Sequence, residues 1–153
     1  MTECSPQQTA DRVAAGLFAN DRASVALGIR VLKVRPGAAL LTMAVREDML
    51  NGHQTCHGGL ISALADSAFA FACNSYNELT VASSFSIDFL APAHQGDLLT
   101  AQCTEVSRTG RTGVYDAAVT NQQGERIAVF RGRSYALKGR SAVAPAIPNE
   151  GTQ

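Results

Sequence analysis

A chain of 153 residues suits one domain built around a single core. Its formal net charge is zero and only 17% of its residues are charged, which excludes the basic stripe of a general nucleic-acid binder. The apolar run 58–73 is too short and too rich in Ala and Ser to span a bilayer, and Met1–Gln8 lacks the basic-then-apolar layout of a signal peptide; no membrane association and a cytoplasmic location are expected.

In chain order, residues 7–19 carry an amphipathic helical pattern, with Val13, Ala14, Leu17 and Phe18 near one face and Asn20-Asp21 as its stop. Gly28–Val34 and Ala39–Val45 read as two strands joined by a turn at Arg35-Pro36-Gly37. Ile29, Val31 and the stem of Lys33 share one face of the first; Leu41, Met43 and Val45 share one face of the second. A polar loop, Met49 to His57, leads through Gly58-Gly59 into a helix over Leu60–Tyr76. That helix is nearly apolar on every side, so it is expected to be buried all round. Four further strands follow, near Thr80–Leu90, Leu98–Ser107, Gly113–Thr120 and Arg126–Leu137, with turn signals between them close enough for antiparallel neighbours. The domain is expected to end near residue 138, and residues 139–153, with Pro145, Pro148 and Gly151, to fray. The class is α+β: one curved antiparallel sheet wrapped around one long central helix. Such a sheet leaves edge strands, which predicts pairing of two copies through the strand after the helix.

The cysteines Cys4, Cys56, Cys73 and Cys103 form no CxxC pair and read as free, buried thiols. His53, Cys56 and His57 crowd within five residues but have no distant partner in a zinc spacing, so no metal is expected. A Cys56–His57 nucleophile pair is disfavoured because sequence neighbours rarely hold nucleophile–base geometry.

Asp66 is the anomaly. A carboxylate in the middle of an apolar helix either costs several kcal/mol or has its pKa raised toward the range of a general base. It could instead be a hydrogen-bonded structural group. Gly58 and Gly59 open the helix, where unpaired first-turn N–H groups and the helix dipole can hold an acyl oxygen, or where a tight turn needs glycine. Gly58 and Asp66 are separated by about 12 Å along an ideal helix, too far to act on one carbonyl; if both act, they come from two subunits. Asn51 could donate to the same oxygen or make an Asn-Gly turn, and His57 could position the donor or be a half-buried histidine. Arg108, Arg111, Arg131 and Arg133 could meet the phosphates of a nucleotide-bearing substrate or line a solvated strand face.

The segment Asn51-Gly52-His53-Gln54-Thr55-Cys56-His57-Gly58-Gly59 with Asp66 resembles the active site of hotdog-fold acyl-CoA thioesterases. The runs Val81-Ala82-Ser83, Ser86 to Pro92, Gly113 to Asp116 and Phe130-Arg131-Gly132 resemble the phenylacetic acid degradation (PaaI) subgroup, over about residues 10–138. The resemblance implies a hotdog fold and hydrolysis of phenylacetyl-CoA and ring-hydroxylated relatives, without metal or cofactor, in aerobic phenylacetate degradation. It implies a homotetramer made of dimers with shared sites. By position it makes Asp66 the base or nucleophile, gives the Gly58 N–H and Asn51 to the carbonyl, and places Asn20 near the pocket. It leaves Ser83 and Ser84 as alternatives for holding water. A non-catalytic acyl-CoA-binding module and a hotdog enoyl-CoA hydratase are the competing readings; the intact Asp66 and Asn51 oppose the first, and the lack of a Pro-rich loop before the helix opposes the second.

Overall fold

The computed structural model describes residues 4–145. Helix α1 (Pro6–Asn20) begins where Ser5 and Gln8 form a reciprocal capping box and Pro6 sits at the first helical position, where its missing N–H costs nothing. Asp21 does more than stop α1. Its carboxylate accepts from the Ser24 N–H and opens a second short helix, α2 (Arg22–Ala26), which sequence periodicity is too brief to show. Strands β1 (Arg30–Arg35) and β2 (Ala38–Ala44) meet at the expected turn, where Gly37 has φ +72°. A bulge between Val31 and Lys33 shifts the alternation, so Val34 is the buried residue and Lys33 faces solvent, contrary to the face expected for Lys33.

Helix α3 (Gly58–Asn74) starts two residues earlier than its periodicity suggests and ends at Ser75. The remaining strands are β3 (Thr80–Phe89), β4 (Leu98–Thr109), β5 (Thr112–Thr120) and β6 (Arg126–Ala136). All six strands form one antiparallel sheet in the order β1-β2-β4-β5-β6-β3, so β1 and β3 are its edges. This is the hotdog fold.

The inner face of the sheet wraps α3. Leu41 and Met43 on β2, Leu99 and Ala101 on β4, Val119 on β5 and Phe130 on β6 pack with Leu64, Ala68, Phe69 and Ala72 of the helix. Gly132 on β6 admits the Phe69 ring; a Cβ there would lie 2.9 Å from it. Burying one such aromatic contributes about 2–3 kcal/mol. The helix is not buried all round, however. Gly59 and Ala70 are exposed, and Ala63, Asp66 and Ser67 only half-buried, along a stripe that the sheet does not reach.

Beyond β6 the chain stays tied as far as Val143. Arg140 O accepts from the Leu79 N–H, and Asn77 accepts the Ala142 N–H on its carbonyl and the Val143 N–H on its side chain. Of the stretch expected to fray, residues 146–153 lie outside the described residues. Among the described residues no helix is long and apolar enough to cross a membrane. Cys56, Cys73 and Cys103 are free and buried, whereas Cys4 is free but exposed.

Candidate functional site

The loop before α3 is built by Asn51. Its Oδ1 accepts from the His53 N–H at 2.9 Å and the Thr55 N–H at 3.3 Å, and its Nδ2 donates to Thr55 Oγ1 at 3.1 Å. The turn this creates puts Gln54, not Gly52, in the left-handed region, at φ 61°. Asn51 thus organises the loop and still has a second amide N–H without a partner among the described residues. The loop is pinned on both sides, by the Cys56 N–H on Ala93 O and the His57 N–H on Met49 O, each at 2.8 Å.

His57 caps α3. Its Nδ1 accepts from the Gly59 N–H at 2.9 Å, which places the imidazole proton of the neutral ring on Nε2. The two helix-opening glycines are therefore not equivalent. The Gly59 N–H is occupied, while the Gly58 N–H donates to no group among the described residues and points out of the positive end of the helix. Neither glycine has positive φ, so neither is there for its dihedrals. A Cβ on Gly59 would meet His57 Nδ1 at 3.0 Å and push the cap away. A Cβ on Gly58 would meet the Phe89 ring at 3.0 Å.

Gly58 and Asn51 share a recess of about 390 Å³ whose apolar wall includes Ile61, Phe89 and Leu90. Two donors facing an apolar wall is an arrangement that can hold a carbonyl oxygen. Cys56 also lines it, but burial pushes its thiol pKa up, which opposes thiolate chemistry. Phe89 lines the recess and is missed by a helix-centred reading. Its signal lay in the period-two row Phe85, Ile87, Phe89 along β3. Phe85 and Phe89 are 46% and 51% exposed, so this edge strand presents an unpaired backbone and an apolar row together.

Asp66 lies on the uncovered stripe of α3, half-buried, with no hydrogen-bond partner or ion pair among the described residues. Burial raises its carboxyl pKa above the usual carboxylate range. It does not line the Asn51–Gly58 recess, in keeping with their separation along the helix. Within one chain, then, the Asn51–Gly58 recess and the carboxylate stand apart.

The remaining candidates divide. Asn20 ends α1, donates to Gly16 O at 3.3 Å, and lines a groove shared with Ala70, one turn beyond Asp66. Ser83 is the extra residue of a bulge in β3, and its hydroxyl donates to Arg133 O at 3.1 Å; the Ser84 hydroxyl has no partner among the described residues. The four arginines do not converge. Arg131 is held by both oxygens of Asp116, at 2.6 and 2.8 Å, and Arg108 lies 3.9 Å from the centre of the Tyr76 ring. Arg131 and Arg133 alternate with buried Gly132 and Ser134, so they occupy the face of β6 turned away from α3. Arg111 is exposed at the β4–β5 hairpin.

Comparison with known proteins places these features in a context. A model of the thioesterase superfamily matches residues 53–128, the span from the loop through β6's start. The acyl-coenzyme A thioesterase PaaI of Escherichia coli (strain K12) is 47% identical over 80% of this chain and 88% of its own length. The solved structure of the E. coli PaaI protein from the phenylacetic acid degradation operon matches with TM-score 0.87 at 45% identity, covering 89% of this chain and 99% of that one. A Streptococcus mutans UA159 protein bound to acetyl CoA matches with TM-score 0.70 at 26% identity, covering 73% and 90%.

Proposed function

The chain belongs to the thioesterase superfamily and is an acyl-CoA thioesterase, and from that premise we propose that its substrates are phenylacetyl-CoA and ring-hydroxylated phenylacetyl-CoA esters, hydrolysed to free acid and CoA in aerobic phenylacetate degradation. One observation carries the chemistry: Asp66 is a carboxylate with a burial-raised pKa and no partner among the described residues. The aromatic acyl group rests on the likeness to PaaI, and the CoA moiety also on the acetyl-CoA-bound S. mutans structure.

The working site is shared between two copies paired through β3, which assemble further into a tetramer. The apolar row on β3 supports that pairing, and so does the separation of Asp66 from the Gly58 recess. The thioester oxygen accepts from the Gly58 N–H and the free Asn51 amide N–H of one copy, with His57 fixing the helix start. Asp66 of the other copy takes a proton from water as its oxygen attacks the carbonyl carbon. The tetrahedral intermediate collapses with cleavage of the C–S bond, and the proton on Asp66 passes to the leaving CoA sulfur. Ser84, whose hydroxyl has no partner among the described residues, holds that water in preference to Ser83, whose hydroxyl is bonded to Arg133 O. CoA phosphates fall to the exposed Arg111 and Arg133, since Arg131 and Arg108 already have partners. No metal or cofactor enters these steps.

Free-thiol release across aromatic and aliphatic CoA esters tests this reading. The expected result is the highest kcat/KM for phenylacetyl and hydroxyphenylacetyl esters; preference for straight aliphatic chains would overturn the substrate assignment. Binding without release would leave a non-catalytic CoA-ester module, and hydration of an enoyl-CoA without release would leave a hydratase. A single turnover in oxygen-18 water separates base from nucleophile. Label appearing first in the Asp66 carboxylate would establish direct attack through a mixed anhydride.

A further inference from the structure

The stripe that carries Asp66 continues into a groove that the steps above do not use. Asp66, Ala70 and Asn74 are spaced by four on α3, and Arg12, Gly16 and Asn20 are spaced by four on α1, so each set lies along one helix face. Between the two faces runs a groove of about 800 Å³, within the size range of small-molecule sites. Leu17, Phe71 and Val143 supply apolar wall. Gly16 makes the closure possible: a Cβ there would lie 2.7 Å from Val143 Cγ1, so only glycine lets the segment after β6 seat against α1.

The groove has a near end and a far end. Ser24 Oγ lies 3.3 Å from Ser67 Oγ, which sets the start of α2, and with it Asn20-Asp21, beside the residue next to Asp66. Arg12 is two turns of α1 away, about 12 Å. Most polar groups on the lining are already committed. Both faces of the Asn74 amide are used, on Ala70 O and on the Thr80 backbone, and the Asp21 carboxylate caps α2. Arg12 is the exception. Its Nε is buried with no acceptor among the described residues. That orphan donor costs about 1–3 kcal/mol, more for a charged group. Because the Nε is closed off, an incoming acceptor meets the terminal guanidinium N–H groups, which likewise have no acceptor among the described residues.

Resting on the aryl-acyl thioester reading above, we infer that this groove receives the acyl group and that Arg12 is a specificity-determining residue, donating to an oxygen substituent on the ring edge remote from the thioester. A carbonyl held at Asp66 directs its acyl group past Ala70 toward the Arg12 end. A flat ring fits the apolar walls, and its distal oxygen supplies the acceptor that Arg12 lacks.

The test measures binding, not turnover. Non-hydrolysable thioether analogues of phenylacetyl-CoA and para-hydroxyphenylacetyl-CoA are titrated into the wild-type protein, Arg12→Met and Arg12→Lys. The wild type is expected to prefer the hydroxylated analogue, and Arg12→Met to reduce the ratio of the two affinities by about tenfold. Arg12→Lys falls between, because an ammonium keeps the charge without the planar fork. A ratio taken on one sample does not depend on the folded fraction, so poor folding of a variant cannot imitate the result. Equal affinities in the wild type, or an unchanged ratio in Arg12→Met, would overturn the assignment. A wild-type preference lost in Arg12→Met, without thiol release from the true esters, would sink the hydrolytic reading and leave Arg12 in place.

Discussion

The two halves of α3 share an Ala-rich sequence and differ in how their polar groups are treated. At the C-terminal end every buried polar side chain is answered. Asn74 bonds Ala70 O, Thr80 O and the Thr80 N–H, each at 2.9 Å, and Ser75 Oγ donates to Ala72 O while accepting from the Gly37 N–H. Glu105 of β4 arrives at the same end and accepts both the Tyr76 and Tyr115 hydroxyls at 2.9 Å. In the N-terminal half the Gly58 N–H and the Asp66 carboxylate have no partner among the described residues. One end shows how this fold settles a polar group when only stability is at stake. The other keeps two groups unsettled, and they are the two to which the proposed hydrolysis assigns the oxyanion donor and the base.

Asp66→Asn should break the comparison most sharply. Thiol release should fall by about a hundred- to ten-thousand-fold, the usual contribution of a general base, while thioether-analogue binding persists. Stability should not fall with it. Because the folded pKa of Asp66 is raised, its contribution is fully present below the ordinary carboxylate range and is lost as pH rises through the raised value. Asp66→Asn should therefore melt no lower than wild type at neutral pH, and its relative gain should shrink in acid. The same raised pKa should set the acidic limb of kcat/KM above the ordinary carboxylate range. Unchanged turnover would remove Asp66 from the mechanism.

Asn74→Ala should do the opposite. It strands the buried Thr80 N–H and two carbonyls, a loss of about 2–4 kcal/mol, or roughly 10 °C in Tm for a domain of this size. Asn74 also lines the acyl groove, so kcat/KM of the folded fraction should fall at most a few-fold, through substrate binding, while kcat stays close to wild type. A specific fall in kcat at full folding would mean that the two ends of α3 are coupled.

How much of this contrast the sequence revealed depends on the range of the interaction. The succession of elements along the chain and the central helix follow from periodicity, and the Asn51–Asp66 segment from local residue type and its resemblance to a known active site; the sheet order, with β3 beside β6, does not. Asp66 stands out because a charge in an apolar helix is anomalous wherever the helix lies. The bulge that turns Lys33 outward, the Asp116 grip on Arg131 and the Glu105–tyrosine cluster join residues far apart in sequence or depend on one-residue register shifts, which composition does not encode. The capping box at Ser5-Pro6-Gln7-Gln8, which the apolar pattern does not show, starts the helix one residue before that pattern. The open stripe on α3 was not legible, since an all-apolar helix gives no sign of which side the sheet will leave bare.

His57→Ala probes the N-terminal half more gently. The cap on the Gly59 N–H is lost, at a cost of about 0.5–1 kcal/mol. If the cap also aims the neighbouring Gly58 N–H, kcat should fall by up to about tenfold, less than the loss expected for an oxyanion donor itself. Gly59→Ala should reproduce part of the effect, because its Cβ crowds His57 Nδ1. A change in Tm alone, with kcat intact, would reduce His57 to a structural cap.

Glu105→Gln is the smallest of these perturbations and sharpens the contrast from the settled end. The glutamine carbonyl can still accept both tyrosine hydroxyls, so only the charge assistance is lost, about 1 kcal/mol and a few degrees in Tm. Its signature lies in the alkaline limb. Burial first, and the Glu105 hydrogen bond next, push the Tyr115 phenol far above its ordinary value, and the same causes raise Tyr76. A group with a raised folded pKa lends stability that is whole below its unfolded pKa, about 10 for tyrosine, and is lost as pH rises toward the folded value. Wild-type Tm should thus drop steeply above about pH 10, and less steeply in Glu105→Gln, where the carboxylate no longer opposes ionisation. Equal slopes would assign the shift to burial alone. In either case thiol release at neutral pH should be unchanged, because both phenols are already protonated there and their carboxylate, unlike that of Asp66, is engaged by two hydroxyl donors.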